Sequence, residues 1–168
     1  PLISETNTLA NTIITTNYYE YFNNNILKSS FYFRNANSIT GENVKLSERL
    51  SLPSNRLRGF ERGKVGPKDG NDFIGGNYIA SLNFSSDVPK ILENSQATDL
   101  KIFLDIANVW GVDYDSTLET SEDIKSAIGI GLDWFTPIGP LNFTLSQHLS
   151  KGSNDITEAF RFNLGTSF

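Results

Sequence analysis

The chain has 168 residues, of which 38% are hydrophobic, 20% charged and 12% aromatic, and its formal net charge is -5. That length allows one domain with a real core, while the acidic balance argues against nucleic-acid binding through phosphate neutralisation. With no cysteine and one histidine, disulfides, thiol chemistry and a multi-histidine metal site within one chain are excluded.

No apolar run approaches the length of a membrane-spanning helix, which leaves a strand-built span open because alternating strands average to a polar-looking chain. Abundant Asn, Ser, Thr, Phe and Tyr favour strands and turns, and no long amphipathic helix is expected. The first segment, 9–22, reads as a strand whose two faces do not separate. From there, period-two alternation recurs. Leu27, Ser29, Phe31 and Phe33 oppose Lys28, Ser30, Tyr32 and Arg34. Tyr78, Ala80, Leu82 and Phe84 oppose Asn77, Ser81, Asn83 and Ser85. Leu100, Ile102, Leu104 and Ile106 oppose Lys101, Phe103, Asp105 and Ala107. Ser126, Ile128, Ile130, Leu132 and Trp134 oppose Ala127, Gly129, Gly131 and Asp133. Leu141, Phe143, Leu145 and Leu149 oppose Asn142, Thr144, Ser146 and His148. Last, Ile156, Glu158, Phe160, Phe162, Leu164, Thr166 and Phe168 share one face, with Arg161, Asn163, Gly165 and Ser167 on the other.

About seven strands of roughly 9–13 residues result, the length a tilted strand needs to cross a bilayer. Their connections alternate in size. Asn23-Asn24-Asn25 and 136–140 are tight and 87–99 is moderate, whereas 35–74, 111–123 and 150–155 are generally longer and polar. Tight turns on one side and long loops on the other is the pattern of an outer-membrane barrel, with Asn23-Asn24-Asn25, 87–99, 136–140 and Phe168 on the periplasmic side. A soluble β-sandwich adhesin or binding module is the competing reading of alternation. Long strands, small and charged groups mixed on the polar faces, and the alternating aromatics that end on Phe168 favour the barrel. Trp110 and Trp134, near strand ends, fit interfacial aromatic belts.

Within the long loop lies Leu57-Arg58-Gly59-Phe60, flanked by Gly63, Gly66-Pro67 and Gly75-Gly76. Gly59 lets the backbone turn beside a bulky cation and an aromatic ring, and an arginine with five donors suits a loop tip inside a polar lumen. The other candidates read as structure. Asp113-Tyr114-Asp115-Ser116 lacks the glycine and distal glutamate of a calcium loop. Gly63-Lys64-Val65-Gly66 lacks phosphate-loop spacing. His148 has no sequence partner for catalysis.

Arg58-Gly59-Phe60, followed by Gly75-Gly76-Asn77, Ala80-Ser81-Leu82, Phe103-Leu104-Asp105, Val109-Trp110, the Gly129-Ile130-Gly131-Leu132-Asp133-Trp134 run, Pro137-Ile138-Gly139-Pro140-Leu141 and the terminal Phe160-Arg161-Phe162-Asn163-Leu164-Gly165 through Phe168, resembles the C-terminal half of the BamA-type outer-membrane insertase barrels, members of the bacterial surface antigen superfamily. The resemblance implies an all-β fold: an antiparallel transmembrane β-barrel segment of about seven strands, the C-terminal part of a sixteen-stranded barrel, with residues 1–168 lacking the N-terminal strands and periplasmic domains. The start at Pro1, without a methionine or signal peptide, reads as a chain either processed or cut from something longer. It implies assembly and insertion of outer-membrane proteins by strand templating, with no enzyme chemistry and no cofactor. It places the chain in the outer membrane of a Gram-negative-type bacterium, with lipid, unfolded outer-membrane proteins as clients and accessory assembly lipoproteins as partners. A polypeptide secretion pore of the same superfamily is the alternative. The loop lock it implies is Arg58, Gly59 and Phe60 with Asp105 as inner-wall acid. Asn83 stands where close relatives carry a second acid, which leaves Asp133 to supply further charge. The terminal strand it implies carries Phe160, Phe162, Leu164 and Phe168.

Overall fold

The computed structural model describes residues 8–21, 25–88, 98–118, 120, 122–137 and 139–165. Phe168, Asn23, Asn24 and Ile138 therefore lie outside the described residues. Among the described residues nine strands follow in order: β1 (Thr8–Tyr21), β2 (Asn25–Ser38), β3 (Lys68–Asp69), β4 (Asp72–Phe73), β5 (Tyr78–Asp87), β6 (Thr98–Trp110), β7 (Lys125–Thr136), β8 (Gly139–Ser150) and β9 (Phe160–Leu164). Seven form one open antiparallel sheet in the order β1-β2-β5-β6-β7-β8-β9, and β3-β4 is a separate small hairpin in the long loop. Each sheet strand pairs with the next one along the chain, so the sheet is a meander whose connections alternate between its two ends.

Exposure separates the two faces as the alternation predicts. On β6, Phe103, Asp105 and Ala107 are buried while Ile102 is exposed. On β7, Ala127 is buried while Ile128 and Ile130 are each 48% exposed. The polar-side residues are the buried ones, because segment 39–77 folds back across that face. The core lies between this loop and the wall: Leu50, Leu52, Leu57, Phe60 and Val65 of the loop pack against Tyr32, Ala36, Ile79, Ala107, Val109 and Ala127 of the strands. The opposite face keeps Ile130, Leu145, Phe160 and Leu164 exposed, and among the described residues no second sheet covers it. That arrangement rejects the β-sandwich, which buries its apolar face against another sheet. Trp110 and Trp134 sit at opposite ends of the sheet, and Trp110 stacks on Tyr78 with centroids 5.7 Å apart.

Two expectations need correction, while Leu149 keeps the exposed face of Leu145 although it falls at a register shift: Ala127 pairs with His148 and Ser126 with Ser150, leaving an extra residue on β8. Strand β2 extends to Ser38, beyond the apolar alternation, because Asn35 to Ser38 pair with β1 as far as Thr8, so the loop begins later than residue 35. The final strand is short. It pairs with β8 from Leu145↔Phe160 to Leu141↔Leu164, while Thr157 forms an antiparallel bridge with Phe60 of the loop. Glu158 accordingly turns its carboxylate to the inner Arg161 instead of continuing the Phe160 face.

Candidate functional site

The long loop is closed at its base by reciprocal backbone bonds. Leu50 N–H donates to Gly76 at 2.8 Å and Gly76 N–H donates to Leu50 at 2.9 Å. From there the chain descends along the inner face, where burial of Leu57 and Phe60 fixes the tip on both sides of Arg58.

Arg58 meets a carboxylate that water does not reach. Its Nε donates to Asp105 Oδ2 at 2.7 Å, its Nη2 to Asp105 Oδ1 at 2.8 Å, and its backbone N–H to Oδ2 at 2.9 Å. Asn83 Nδ2 adds a fourth bond, to Asp105 Oδ1 at 2.9 Å, and also donates to the Arg56 carbonyl at 2.7 Å. Asp105 is 0% exposed, so its charge depends on this full set of donors: the bidentate fork gives direction as well as attraction. Beneath the guanidinium lies the Phe103 ring, 3.6 Å from Cζ to the centroid. Phe103 finds room because Gly129 lacks a side chain; a Cβ there would lie 2.5 Å from the Phe103 ring and 2.3 Å from the Leu145 carbonyl.

Gly59 is required twice. Its φ is +89°, a region costly for residues with a Cβ. A Cβ built there would also approach Ala127 Cβ at 3.0 Å and Ser146 Oγ at 3.1 Å. The tip thus touches β6 through Arg58, β5 through the Arg56 carbonyl, and β7 and β8 through the glycine. Two further arginines extend the contact. Arg56 Nη1 donates to Ser30 Oγ at 2.8 Å and its guanidinium lies 4.8 Å from the Tyr32 ring on β2. Arg161 of β9 donates to the loop carbonyls of Ser54 at 3.2 Å and Phe60 at 2.5 Å.

Asp133 is committed elsewhere. It accepts from Lys101 Nζ at 2.9 Å and from Asn142 Nδ2 at 2.6 Å, so the charge beside Arg58 comes from Asp105, and Asn83 serves as a donor where a second acid was expected. Both Asp133 and Arg58 border a polar cavity of about 610 Å³ below the loop, together with Lys28, Arg56, Lys101 and Arg161. Phe160, Phe162 and Leu164 point to the opposite, exposed face, where Phe162 packs on Phe143 with centroids 5.1 Å apart. The partners Phe103, Gly129 and Arg161 escaped the sequence reading of the site. All three lie on the inward side of the alternation, and that is the signal they carry. Among the described residues no group of three His, Asp or Glu side chains is placed to hold a metal.

At the long-loop rim a second tie joins the loop to the end of β6. Asp113 Oδ2 accepts from Val44 N–H at 2.7 Å and Asn77 Nδ2 at 3.1 Å, and Arg49 bonds Oδ1. Burial pushes the Asp113 carboxyl up, but the Val44 N–H, the Asn77 amide and the Arg49 guanidinium together outweigh it and hold the group below the ordinary carboxylate range.

A family model described as the Omp85 superfamily domain matches residues 4–168. Among curated proteins, the chain is 27% identical over 132 residues to the outer membrane protein assembly factor BamA of Neorickettsia risticii, covering 77% of this chain and 18% of that protein. It is 27% identical over 139 residues to BamA of Neisseria meningitidis serogroup B, covering 67% of this chain and 17% of that protein. It is 31% identical over 141 residues to a SAM50-like protein of Schizosaccharomyces pombe, covering 78% of this chain and 29% of that protein. The crystal structure of BamA from Haemophilus ducreyi lacking POTRA domains 1-3 superposes with a TM-score of 0.86 at 22% identity, covering 96% of this chain and 35% of that one. The chain thus spans less than a third of the length of these curated relatives.

Proposed function

This chain belongs to the Omp85 superfamily, and on that premise we propose that it supplies the loop-braced wall and terminal strand of an outer-membrane barrel that folds and inserts other outer-membrane proteins. In this reading, residues 1–168 are the C-terminal portion of a sixteen-stranded barrel in the outer membrane of a Gram-negative-type bacterium. Lipid contacts the Ile130 face, unfolded outer-membrane proteins are the clients, and accessory assembly lipoproteins work alongside. The tight connections and 87–99 lie on the periplasmic side. Cysteines introduced into 111–123 of the full-length protein should then label on intact cells, and labelling at Asn24 instead would reverse the orientation.

The observation that carries the reading is the loop itself: Arg58 is clamped on a fully buried Asp105, and the same loop reaches the terminal strand through Phe60 and Thr157. A wall braced from inside can hold an edge strand in register, and β9 lies at the edge of the sheet. Backbone N–H and C=O groups of an edge strand pair with an incoming strand. Hydrocarbon makes unpaired backbone costly, so bonds pass from one strand to another without an exposed intermediate. The step needs no bond-making chemistry and no cofactor.

The test is client folding. Full-length protein in liposomes is given a urea-unfolded outer-membrane barrel, and folding of the client is followed by heat-modifiable mobility. Arg58→Ala should slow client folding while the protein remains inserted. Arg58→Lys should recover part of the rate, because a point charge does not reproduce the guanidinium fork. Unchanged client folding in Arg58→Ala would reject the reading.

A further inference from the structure

The terminal strand changes partner partway along its length. From Phe160 onward it pairs with the wall strand β8, and Ala159 still accepts from Ser146 N–H at 2.9 Å. One residue earlier the partner is the loop. Glu158 N–H donates to the Gly59 carbonyl at 3.0 Å, Glu61 N–H donates to Ile156 at 2.9 Å, and Ile156 N–H donates to Lys64 at 3.1 Å. These bonds flank the Phe60↔Thr157 bridge, so segment 156–158 is a short strand on the loop that continues as a strand on the wall.

Arg161 spans this change of partner. Its Nη2 donates to the Phe60 carbonyl at 2.5 Å, its Nη1 to the Ser54 carbonyl at 3.2 Å, and its Nε to Glu158 Oε2 at 2.8 Å. Glu158 thus balances the charge across the switch, and the guanidinium grips two carbonyls on the loop. Three consecutive loop residues consequently join two distant strands: Arg58 N–H bonds Asp105 on β6, the Gly59 carbonyl takes Glu158 N–H, and the Phe60 carbonyl takes Arg161.

We propose that Arg161 is a positioning residue that holds the start of the terminal strand on the seated loop, so that loop seating and terminal-strand pairing are one two-state element. In the second state the β8–β9 register continues past Phe160. Extending the observed pairing sets Ala159 opposite Ser146, Glu158 opposite Gln147, Thr157 opposite His148 and Ile156 opposite Leu149. The backbone bonds that the loop loses are regained on β8, and backbone groups in a membrane wall persist only where such an exchange is available. The loop therefore sets how much of the terminal strand is zipped to its neighbour. This deepens the assembly reading above and rests on it for its consequence.

Residues 1–168 contain no cysteine, and any cysteine elsewhere in the full-length protein is replaced by serine so that the reporter pair is read alone. His148→Cys with Thr157→Cys, in the full-length protein, is oxidised and the cross-linked fraction measured. Cross-linking should be low in the parent and rise about tenfold in Arg161→Gln, the shift expected from losing a charge-assisted hydrogen bond. Arg161→Lys should fall between, since one ammonium cannot serve Ser54, Phe60 and Glu158 together. Arg58→Ala should raise it as well, because it frees the same loop from β6. If Arg161→Gln does not accumulate, Arg161→Lys and Glu158→Gln decide, each with a smaller rise. Unchanged cross-linking in folded Arg161 variants overturns the proposal, even if client folding falls, in which case the assembly reading survives without it. A rise in cross-linking with client folding untouched supports the coupling and sinks the assembly reading instead.

Discussion

Strands β1 and β6 have nearly the same length, 14 and 13 residues, and each pairs in continuous antiparallel register. Their side chains have opposite fates. On β6 the inward residues Phe103, Asp105, Ala107 and Val109 are all buried. On β1 the inward residues Ile14 and Tyr18, which pair with Tyr32 and Lys28, remain exposed. The difference is the loop. It covers β6 with Arg58 and Phe60, whereas β1 touches it at its beginning, through Thr8 and Glu48. Backbone pairing is enough to make a strand in this sheet, and the loop is what gives part of the wall a core. Stability should therefore differ between two strands that are alike in their backbone pairing.

The sharpest way to break the contrast is to remove the buried carboxylate. Asp105→Ala leaves the Arg58 guanidinium without its carboxylate and the Asn83 amide with the Arg56 carbonyl alone. A broken buried ion pair costs about 3–5 kcal/mol, whereas Thr16→Ala on β1 removes one part-buried hydroxyl contact, to Ser30 at 3.2 Å, and should cost about 1 kcal/mol. Equilibrium unfolding of the full-length protein in detergent or lipid compares them. Equal losses would show that the loop does not brace the wall. The outer face offers the next contrast. Ile130 lies mid-strand on the exposed side, and Ile130→Arg should cost about 2–4 kcal/mol in a bilayer. Ile14→Arg, on the inner side of β1 and 57% exposed, should cost about 0.5 kcal/mol or less, as its charge would sit in water. Insertion measured in the same bilayer would reject the facing of β7 if the two variants behaved alike.

The division into faces was legible for β5 to β8 because period two is a local property and each strand carries it unaided. Asp105 was assigned inward on that ground, and the structure sets it there. β1 was illegible for the same reason: with Asn11, Thr15 and Asn17 on one side and Ile14 on the other, neither side is apolar. Arg161 and Glu158 failed differently. They belong to a strand whose partner changes from loop to wall, and that exchange depends on residues about a hundred positions away, such as Phe60. No local pattern records it. Gly129 was similarly opaque: a glycine in a strand marks a close approach, but only the fold shows that the Phe103 ring makes it.

That glycine sharpens the comparison at smaller scale. Gly129→Ala pushes a Cβ into the ring that floors Arg58, and overpacking of this kind costs about 1–3 kcal/mol. Gly131→Ala, two residues along the same strand and with nothing within 4 Å of the added Cβ, should be nearly neutral. The pair separates loss of the Arg58 seat from a general intolerance of β7 to larger residues. If both variants unfold at the parent's denaturant concentration, the packing of Phe103 against Gly129 does not support the loop.

The smallest effect belongs to the rim, where Asp113 ties the loop to the end of β6. Its carboxyl is held below the ordinary range by Val44 N–H, Asn77 and Arg49 acting against burial. A depressed value means that the folded state prefers the charged form, so the tie contributes fully above the unfolded carboxylate value of about 3.9 and weakens as pH falls through the lower folded value. Between pH 8 and 5 the rim should therefore not change. In strong acid, protonation removes the charge that Arg49 pairs with and weakens acceptance from Val44 N–H, and the loop should open locally at the rim while the β1–β2 ladder, held by backbone pairing along both strands, stays closed. Hydrogen exchange at Val44, corrected for the intrinsic rate, reads this directly. Protection should fall on acidification in the parent and be already low and flat in Asp113→Asn. Protection at Val44 that is equal in the two proteins at neutral pH would show that Asp113 does not hold the rim.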